Sequence, residues 1–510
     1  MLFDRVKPLD AILATAQKKA LTRTLGATQL TMLGIGAIIG TGIFVLTAEA
    51  ANKAGPAMMI SFIIAAVVCA LAALCYSELA SMVPVSGSAY TYTYATFGEI
   101  LAWVVGWALV LEYAIAASAV SVGWSGYMVS LAEEIFRVDF PNTFVKGPFD
   151  PVAPGETPGL INIPAMLIGL VCMALLIFGT KESARFNAIL VAIKVSALLL
   201  FLVLALPAVS GDNFQPFMPN GFFANNVMDP ITNNMVTVGV AAAAASIFFA
   251  YVGFDAVSTA AEETINPQRN IPIGLIGSLG ICTIIYILVA AGAIGTIGAQ
   301  PGGELAQSDD ALAFVLRAIG YSWAGQLVAI AAGVALPSVI LMMMFGQTRI
   351  FFVMARDGLL PDVFAKLHPK YGTPHVVTIC TGIFVAVFAA LFPVGSLADI
   401  SNSGTLFAFF CVAVGVMILR RTDPSRHRPF RTPAFWLVCP LAAAGCVFLF
   451  FQLSGYTELM FLAWAFIGLV VYFLYSRRRS HLGQGIVEVV DDIGGNETML
   501  PIDTSPPAKR

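Results

Sequence analysis

Charged residues are scarce in this sequence. Asp, Glu, Lys and Arg account for 11% of its 510 residues, whereas about a quarter of the residues of a soluble globular chain are charged. Apolar residues account for 58%, and several apolar runs exceed the roughly 20 residues with which a helix crosses the hydrocarbon layer of a membrane. Because such a chain cannot form a surface for water, we expect most of it to lie in a lipid bilayer.

Residues that carry catalysis or bind metal ions are also scarce. The four histidines form no HExxH motif, and no nucleophile elbow is present. The eight cysteines lie in or beside apolar runs without a CxxC pair, which is typical of packing residues. A GxxxxGK[ST] loop for nucleotide phosphates is absent as well. The sequence therefore predicts no enzyme activity, no metal site and no cofactor, and any transport would draw on a gradient rather than on an ATPase domain of this chain.

The apolar windows, each about 19 residues long, predict an all-α polytopic membrane protein with twelve transmembrane helices, spans 1 to 12. Their centres lie near residues 40, 70, 110, 170, 196, 248, 285, 335, 384, 409, 443 and 466. We expect an N-terminal segment at 1–25, a transmembrane domain at 26–478 and a disordered tail at 479–510, since the tail is rich in Gly, Asp, Glu, Thr and Pro.

The N-terminal segment is charged and only weakly apolar, so it is not a cleavable signal peptide. One helical stripe in it is apolar and consists of Leu9, Ile12, Leu13, Ala16 and Ala20. This stripe is consistent with a short helix on the membrane surface, and a polar tail is the alternative.

The distribution of cations predicts the orientation. If both termini lie in the cytoplasm, cytoplasmic segments hold 22 of the 27 lysines and arginines. Outer segments hold Lys53, Arg137, Lys146 and Arg317, and Lys194 lies inside span 5. Because cytoplasmic loops carry an excess of Lys and Arg, we expect a multi-pass protein of the inner cell membrane with both termini in the cytoplasm.

Span 1 contains a cluster of glycines. Gly34, Gly36, Gly40 and Gly42 fall within ten residues, and each costs a helix about 1 kcal/mol relative to alanine. Local unwinding in mid-membrane is tolerable only where the backbone lines a cavity. Its N–H and C=O groups could then hold the carboxylate and the ammonium of a zwitterion. The alternative is close helix packing through the GxxxG pair Gly36 and Gly40.

Span 6 contains a second interruption. Gly253 and the intramembrane carboxylate Asp255 follow one another among aromatic residues. Transporters built from inverted repeats have interrupted helices at matching positions of their two halves. Spans 1 and 6 would be the first helices of two halves of five helices each.

Several runs of residues together resemble the amino acid–polyamine–organocation superfamily. They are GAIIGTGIF at 36–44, YSEL at 76–79, PVSGSAY at 84–90, FAYVGFD at 249–255 and EETINPQRNIP at 262–272. GQTRI at 346–350, RDGLLP at 356–361 and the lysine of IKV at 193–195 are similar to its bacterial cationic amino acid transporter group. The resemblance implies amino acid transport and a 5+5 inverted-repeat fold with two further C-terminal helices, in agreement with the twelve predicted spans.

The resemblance also implies a substrate site in the two interruptions. The substrate carboxylate would meet the backbone and hydroxyl around Thr41, and the ammonium would meet carbonyl groups of spans 1 and 6. Phe249 would close over the substrate from outside, although it could equally be a packing aromatic, and Thr41 could simply cap the broken helix. The expected substrate-binding residues are Ile38, Gly40, Thr41, Gly42, Phe249, Val252, Gly253 and Leu336.

Lys194 is the most informative single residue. It lies about nine residues into span 5, roughly 13 Å deep, where a charge costs about 2.5 to 3.5 kcal/mol and snorkelling to the membrane surface is strained. The resemblance implies that its ammonium occupies the place of the sodium ion of sodium-coupled relatives, binding carbonyls near Gly36 when protonated. Asp255 is either a second proton-coupling group or a helix cap. Glu78 and Glu112 either form buried hydrogen bonds or transfer protons.

The expected cargo follows from the cavity. Leu336 in span 8 would shorten it, and no carboxylate faces it unless Asp255 or Glu112 points inward; Pro337 departs from the family pattern. We therefore expect proton-coupled symport of small neutral amino acids such as alanine, by alternating access. A cationic amino acid transporter or exchanger and a membrane amino acid sensor are the alternatives. The expected partners are an amino acid, a proton and the lipid bilayer, without nucleic acid; protein partners are open, and a monomer suffices.

Overall fold

The computed structural model describes residues 5–9, 25–84, 87–152, 156–179, 184–228, 235–491 and 497–501. The predicted apolar stripe of the N-terminal segment lies, apart from Leu9, outside the described residues. The α-helices of the described residues are α1 (Ala27–Ile38), α2 (Thr41–Phe44), α3 (Leu46–Ala54), α4 (Met58–Met82), α5 (Ser88–Thr96), α6 (Glu99–Phe136), α7 (Asn142–Val145), α8 (Ile163–Phe178), α9 (Ala184–Ala205), α10 (Val240–Ile247), α11 (Ala256–Thr259), α12 (Pro267–Ile297), α13 (Ala311–Ala318), α14 (Ser322–Arg356), α15 (His375–Leu391), α16 (Val394–Thr422), α17 (Phe435–Phe450), α18 (Gly455–Val471) and α19 (Arg477–Arg479).

Shorter elements connect these helices. A π-helical turn, Tyr472–Ser476, joins α18 to α19. Two antiparallel hairpins are formed by β1 (Asn225–Met228) with β2 (Met235–Val238), and by β3 (Ile486–Asp491) with β4 (Glu497–Pro501). The 3₁₀ turns are Gly55–Ala57, Leu206–Ala208, Gly211–Phe214, Phe248–Tyr251, Ala261–Glu263, Leu305–Gln307, Asp362–Ala365 and Leu482–Gln484.

Apolar helices make up most of the described chain. Seven helical stretches in it are long and apolar enough to cross a membrane, and the described residues include five shorter apolar helices of 10–17 residues. The predicted span centres fall within these helices or, near residue 40, between α1 and α2. The fold is that of a polytopic helical membrane protein; the count of twelve spans and the inverted repeat stay predictions.

Local signals in the sequence set where several helices begin and end. The Asn162 side chain accepts the Ala165 amide at 3.1 Å at the start of α8, and Gly179 caps the end of α8 in the left-handed conformation. Pro267 occupies the first turn of α12, where its missing N–H costs no hydrogen bond. Ser454 accepts the Thr457 amide at 3.3 Å at the start of α18.

The long helix α6 lies at the centre of the bundle, packed against α14 and α16. Tryptophans also join α6 to α18. The Trp107 indole donates a hydrogen bond to the Trp464 carbonyl at 2.9 Å, and the Trp464 indole donates one to the Trp107 carbonyl at 2.8 Å. The two rings stack at 4.8 Å, and Trp103 donates to Gly468 at 2.8 Å. Buried indoles need such partners for their N–H groups, so these contacts fix the register of the two helices.

Residues 5–9 lie on one end of the bundle, which we call the N-terminal face. The buried carboxylate of Glu99 accepts hydrogen bonds there from Arg5 at 3.1 Å, Tyr472 at 2.8 Å, Tyr94 at 3.2 Å and the Ser480 hydroxyl. One carboxylate thus ties the N-terminal segment and the chain after α18 to the start of α6.

A second ion pair holds the same segment. The Lys7 ammonium lies 2.8 Å from the Asp357 carboxylate, which also accepts the Tyr90 hydroxyl at 2.8 Å. Burial alone would raise the pKa of the Asp357 carboxyl, but the charges of Lys7 and Arg356 and its hydrogen bonds hold it below the ordinary value. The N-terminal segment is therefore anchored electrostatically beside the end of α14.

Residues 480–491 and 497–501 of the chain after residue 479 are described, and disorder of the tail stays a prediction. Gly358 leaves room for the backbone of Arg479, and the His481 amide donates to the Asp357 carbonyl at 3.1 Å. The strands β3 and β4 follow, with the β-branched run Val489-Val490 in β3. The described residues directly after α19 thus pack against the turn that follows α14.

Candidate functional site

The first span is interrupted at the predicted place. The helix α1 ends at Ile38, and Ile39 and Gly40 adopt extended conformations before α2 begins at Thr41. All residues from Gly34 to Phe44 are buried. The glycine cluster thus forms a backbone break within the protein rather than a continuous GxxxG packing helix.

The span around residue 248 is interrupted as well. The helix α10 tightens into the 3₁₀ turn Phe248–Tyr251, Val252 is extended, and Gly253 has a φ of 118°. The chain becomes helical again only after Asp255. A positive φ of this size is accessible mainly to glycine, so Gly253 makes the break possible.

The two breaks pack against each other. A Cβ atom at Gly253 would lie 2.9 Å from the carbonyl oxygen of Ala37, and a Cβ atom at Gly42 would lie 2.2 Å from the Cα atom of Ala250. Both distances are shorter than side-chain contacts allow, so only glycine permits this approach. The two backbone breaks therefore lie in direct contact in the interior of the protein.

Lys194 on α9 reaches the first break. Its side chain is 1% exposed, and its ammonium donates a hydrogen bond to the Gly36 carbonyl oxygen at 2.8 Å. A Cβ atom at Gly36 would lie 2.8 Å from Val191, one turn before Lys194, so glycine also lets α9 come close. The contact is the one that the resemblance implied, and the role of Lys194 in proton coupling stays a prediction.

Two of the carbonyl groups expected to meet the substrate ammonium already accept hydrogen bonds. The Tyr286 hydroxyl of α12 donates to the Ile38 carbonyl at 2.8 Å, and the Val252 amide donates to the Phe249 carbonyl at 3.2 Å. A carbonyl oxygen has two lone pairs, so each can accept a second donor. Tyr286 is 248 residues from Ile38 in the chain, and nothing in the sequence pattern had pointed to this contact.

Thr41 presents a polar group at the break. The residue is fully buried, and its hydroxyl has no hydrogen-bond partner among the described residues. Its methyl group lies against α6, 2.4 Å from where a Cβ atom of Gly123 would be. A buried hydroxyl without a partner costs about 1–3 kcal/mol, which makes it a candidate for a ligand contact.

The helix α14 forms another wall of the site. Val339 lies 3.5 Å from where a Cβ atom of Gly40 would be, an ordinary contact distance. The predicted Leu336 lies one turn earlier and is fully buried, and α14 continues through Pro337 as a helix. The α14 side chain nearest to Gly40 is thus Val339. It lies on the same helix as Leu336, but the sequence pattern did not indicate it.

Two buried carboxylates lie between the second break and α6. The Tyr113 hydroxyl donates to Asp255 at 2.8 Å, and Asp255 is fully buried. Glu112 is also fully buried, and its carboxylate lies beside the Thr405 side chain of α16. A Cβ atom built on Gly404 of α16 would lie 3.4 Å from the Cβ atom of Glu112, so the two helices pack closely here. An ionised carboxylate in such a place is costly, so this pair is a candidate for proton exchange.

Glu78, by contrast, is fully paired. It accepts two hydrogen bonds from Arg420 at 2.7 Å, lies 3.3 Å from Arg428 and accepts the Thr432 amide at 2.8 Å. Bidentate arginine pairs of this kind are strong and directional. Glu78 therefore joins α4 to α16 and to the chain before α17.

A buried ion pair lies farther along the first span, beyond the break. The Lys53 ammonium contacts Asp399 at 3.2 Å, Glu49 at 3.2 Å and the Ser246 hydroxyl at 2.6 Å. Ser246 in turn donates to Asp399. We call these four residues the Lys53 cluster. It ties α3, α10 and α16 together, and sequence analysis had placed Lys53 only in an outer segment.

Comparison with known proteins gives a consistent assignment. A family model described as amino acid permease matches residues 25–475. A branched-chain amino acid permease of Bacillus subtilis is 46% identical over 478 residues, which cover 93% of this chain and 97% of that protein. A methylthioribose transporter of Bacillus subtilis is 43% identical, with 94% and 99% covered. The human cationic amino acid transporter 4 is 35% identical over 82% of this chain and 62% of that protein.

These relatives are named as permeases and transporters, not as enzymes. The family match covers nearly all of the apolar helices, and it agrees with the motifs in the two breaks. The chain is a multi-pass membrane transport protein that belongs to the amino acid permease family, within the amino acid–polyamine–organocation superfamily.

Proposed function

We propose that this protein is a proton-coupled symporter of neutral amino acids that works by alternating access. The observation that carries the proposal is the hydrogen bond from the buried Lys194 ammonium to the Gly36 carbonyl, beside two backbone breaks that contact each other. Backbone polar groups in the membrane core and a buried amine are costly. A binding site for a zwitterion next to a proton-exchanging group accounts for both.

The substrate is held by groups of both breaks. Its carboxylate accepts hydrogen bonds from the Thr41 hydroxyl and from backbone amides near Gly42, where the hydroxyl lacks another partner among the described residues. Its ammonium donates to the carbonyls of Ile38 and Phe249, which keep one lone pair each. Phe249, 6% exposed, covers the site from the side of α10.

Lys194 couples the proton to this site. When protonated, its ammonium binds the Gly36 carbonyl and holds α1 against α9. When it releases the proton, one hydrogen bond donor and the positive charge are lost, and the contact weakens. Substrate binding and proton binding then favour the same closed arrangement of α1, which is the condition for symport.

Asp255 and Glu112 form a second proton-exchanging pair in this proposal. The observation that supports this role is that both carboxylates are fully buried where α6 meets the second break. Asp255→Asn would keep the hydrogen bond from Tyr113 while removing the charge. Loss of the pH dependence of uptake with retained binding supports the role, whereas unchanged pH dependence leaves Asp255 with a structural role as the acceptor of the Tyr113 hydroxyl.

The cargo is a neutral aliphatic amino acid. Leu336 and Val339 on α14 favour the small side chain that the sequence predicts, such as that of alanine. The similarity to a branched-chain amino acid permease favours valine, leucine and isoleucine within the same class. The side chain nearest to where a Cβ atom of Gly40 would be is the apolar Val339, which favours a neutral over a cationic cargo.

The orientation and the membrane also belong to this proposal. The N-terminal face would be cytoplasmic, because 22 of the 27 lysines and arginines lie in segments that the twelve-span topology assigns to that side. The host membrane would be a bacterial inner membrane, in keeping with the bacterial relatives. The twelve spans would form the 5+5 inverted repeat with two additional helices.

Uptake into proteoliposomes tests the function. Labelled alanine, valine, leucine, arginine and methylthioribose are each offered with and without an inward proton gradient, and empty liposomes serve as the control. We expect gradient-driven accumulation of neutral amino acids, abolished by a protonophore. Exchange without accumulation supports the exchanger instead, and binding without any flux supports the sensor.

A further inference from the structure

A groove opens on the surface of the membrane domain near the N-terminal face. It has a volume of about 620 Å³ and lies between the start of α12 and the chain just before α17. One wall is formed by residues from the first three turns of α12. Pro429 and Phe430 form the other wall. The α12 residues are Gln268, Arg269, Pro272, Ile273, Ile276 and Gly277.

The groove has an apolar and a polar end. Ile273 and Ile276 are 43% and 39% exposed on a helix that is apolar enough to cross a membrane, so they face lipid. Arg269 and Gln268 lie one turn closer to the start of α12. This arrangement places a cation and an amide about one helical turn from an exposed apolar surface, as in a site for an amphipathic ligand.

Arg269 is available to a ligand. It is exposed, and the described residues provide no ion pair or hydrogen bond for its guanidinium. The nearby Arg428 cannot serve, since it is 5% exposed and lies against Glu78 at 3.3 Å. Arg269 is therefore the cation that the groove offers, and its charge calls for an anionic occupant.

We propose that the groove binds one anionic phospholipid of the leaflet at the N-terminal face. The Arg269 guanidinium binds the phosphate, for which its planar donors are suited, and Gln268 donates a further hydrogen bond to the headgroup. The upper part of an acyl chain lies along Ile273, Ile276 and Phe430. Neither the phosphate contact nor the acyl-chain contact depends on which amino acid the protein carries.

The position of the groove links the lipid to the first break. A Cβ atom at Gly277 would lie 3.5 Å from the Thr31 hydroxyl of α1, and one at Gly274 would lie 2.9 Å from Leu30. The start of α1 is bonded to the chain before α12, because the Leu25 amide donates to the Glu263 carbonyl at 3.0 Å. A lipid in the groove thus lies beside the helix that leads into the substrate site.

Two variants separate the charge of the groove from its space. Arg269→Gln removes the cation, with Arg269→Lys as the conservative variant, and Gly277→Leu fills the apolar part while leaving every charge in place. Arg421→Gln is the matched control, since Arg421 is an exposed arginine at the same face that does not line the groove. Monodisperse elution of each variant confirms that it folds.

Each variant is purified from the membrane and its retained phospholipids are counted by native mass spectrometry. We also measure thermal stabilisation on adding phosphatidylglycerol to phosphatidylcholine nanodiscs. We expect the affinity of wild type for phosphatidylglycerol to fall about fivefold in Arg269→Gln, the factor of one arginine near an anionic surface, and to fall in Gly277→Leu. Arg269→Lys retains part of the affinity, and Arg421→Gln retains all of it.

Several outcomes overturn the proposal. If Arg269→Gln and Arg421→Gln lose lipid equally, the binding is a general effect of surface charge. If phosphatidylcholine binds as tightly as phosphatidylglycerol, the site selects for shape alone. If inorganic phosphate stabilises wild type in phosphatidylcholine nanodiscs as well as the anionic lipid does, the ligand is a free anion rather than a lipid.

Discussion

Gly253 lies directly on the carbonyl group of Ala37: a Cβ atom at residue 253 would be 2.9 Å from both the carbonyl carbon and the oxygen of Ala37. This contact joins the two breaks. Gly253→Ala introduces that Cβ atom at a residue with a φ of 118°. We expect a strain of about 1–3 kcal/mol and loss of substrate binding, measured by ligand-induced thermal shift.

Gly280→Ala is the control for this variant. Gly280 lies on α12 in the same membrane domain, and a Cβ atom there meets nothing within 4 Å. It should bind substrate like wild type. If Gly253→Ala binds substrate normally, the contact between the two breaks is not required for the substrate site.

The second prediction concerns the Thr41 hydroxyl. Thr41→Val keeps the methyl group against Gly123 and removes the hydroxyl that we assign to the substrate carboxylate. Hydrogen bonds to charged groups contribute about 1.5–3 kcal/mol, so the dissociation constant should rise at least about tenfold. Thr41→Ser keeps the hydroxyl and should bind within a few fold of wild type. Equal affinities of the Val and Ser variants would assign Thr41 to helix capping.

The third prediction concerns the Lys53 cluster. Lys53 and Asp399 side chains are 11% and 8% exposed, so either charge without its partner remains buried. Lys53→Met and Asp399→Leu should each destabilise the protein by about 3 kcal/mol, and the double variant should regain part of this loss. Thermal unfolding of the two single variants and the double variant measures the coupling. Additive losses would show that the pair contributes no interaction of its own.

The fourth prediction is a pH dependence at Asp150, in the loop between α7 and α8. Burial raises the pKa of its carboxyl to about 6 from an ordinary 3.8, and Asp309 adds to the effect. The folded protein therefore binds this proton more tightly than the unfolded chain does. Stability from this group is highest below pH 4 and falls as the pH rises to about 6, after which the loss is constant.

Asp150→Asn removes that loss. Its oxygen can still accept the Gly147 amide, so we expect the variant to be more stable than wild type at pH 8, by about 1–2 kcal/mol after allowance for partial exposure. The advantage should shrink as the pH approaches 4. Asp139→Asn, at an exposed position between α6 and α7, is the control. The measurement is the thermal unfolding of each variant between pH 4 and pH 8. If the stability of wild type and of Asp150→Asn changes with pH in parallel, the assignment to Asp150 is wrong.

Patterns along the chain were sufficient to predict the helices and the two breaks. Long apolar runs have few ways to satisfy their backbone in lipid other than a helix, and the glycines around Gly40 and Gly253 mark where a helix is weakest. Lys194 was recognisable from one helix alone, because a charge deep in an apolar run needs a partner.

Contacts between distant parts of the chain were not predictable in this way. The Tyr286 hydroxyl on Ile38, Val339 on Gly40 and the Lys53 cluster each depend on how helices pack, which no local pattern contains.

The most direct test compares wild type with Lys194→Met in proteoliposomes, using a neutral amino acid that wild type accumulates. Binding and counterflow exchange are measured without a gradient, and net uptake is measured with an inward proton gradient. Lys366→Met, an exposed lysine outside the site, is the control. The account predicts that Lys194→Met still binds the amino acid but no longer concentrates it, whereas gradient-driven accumulation at the wild-type level would contradict it.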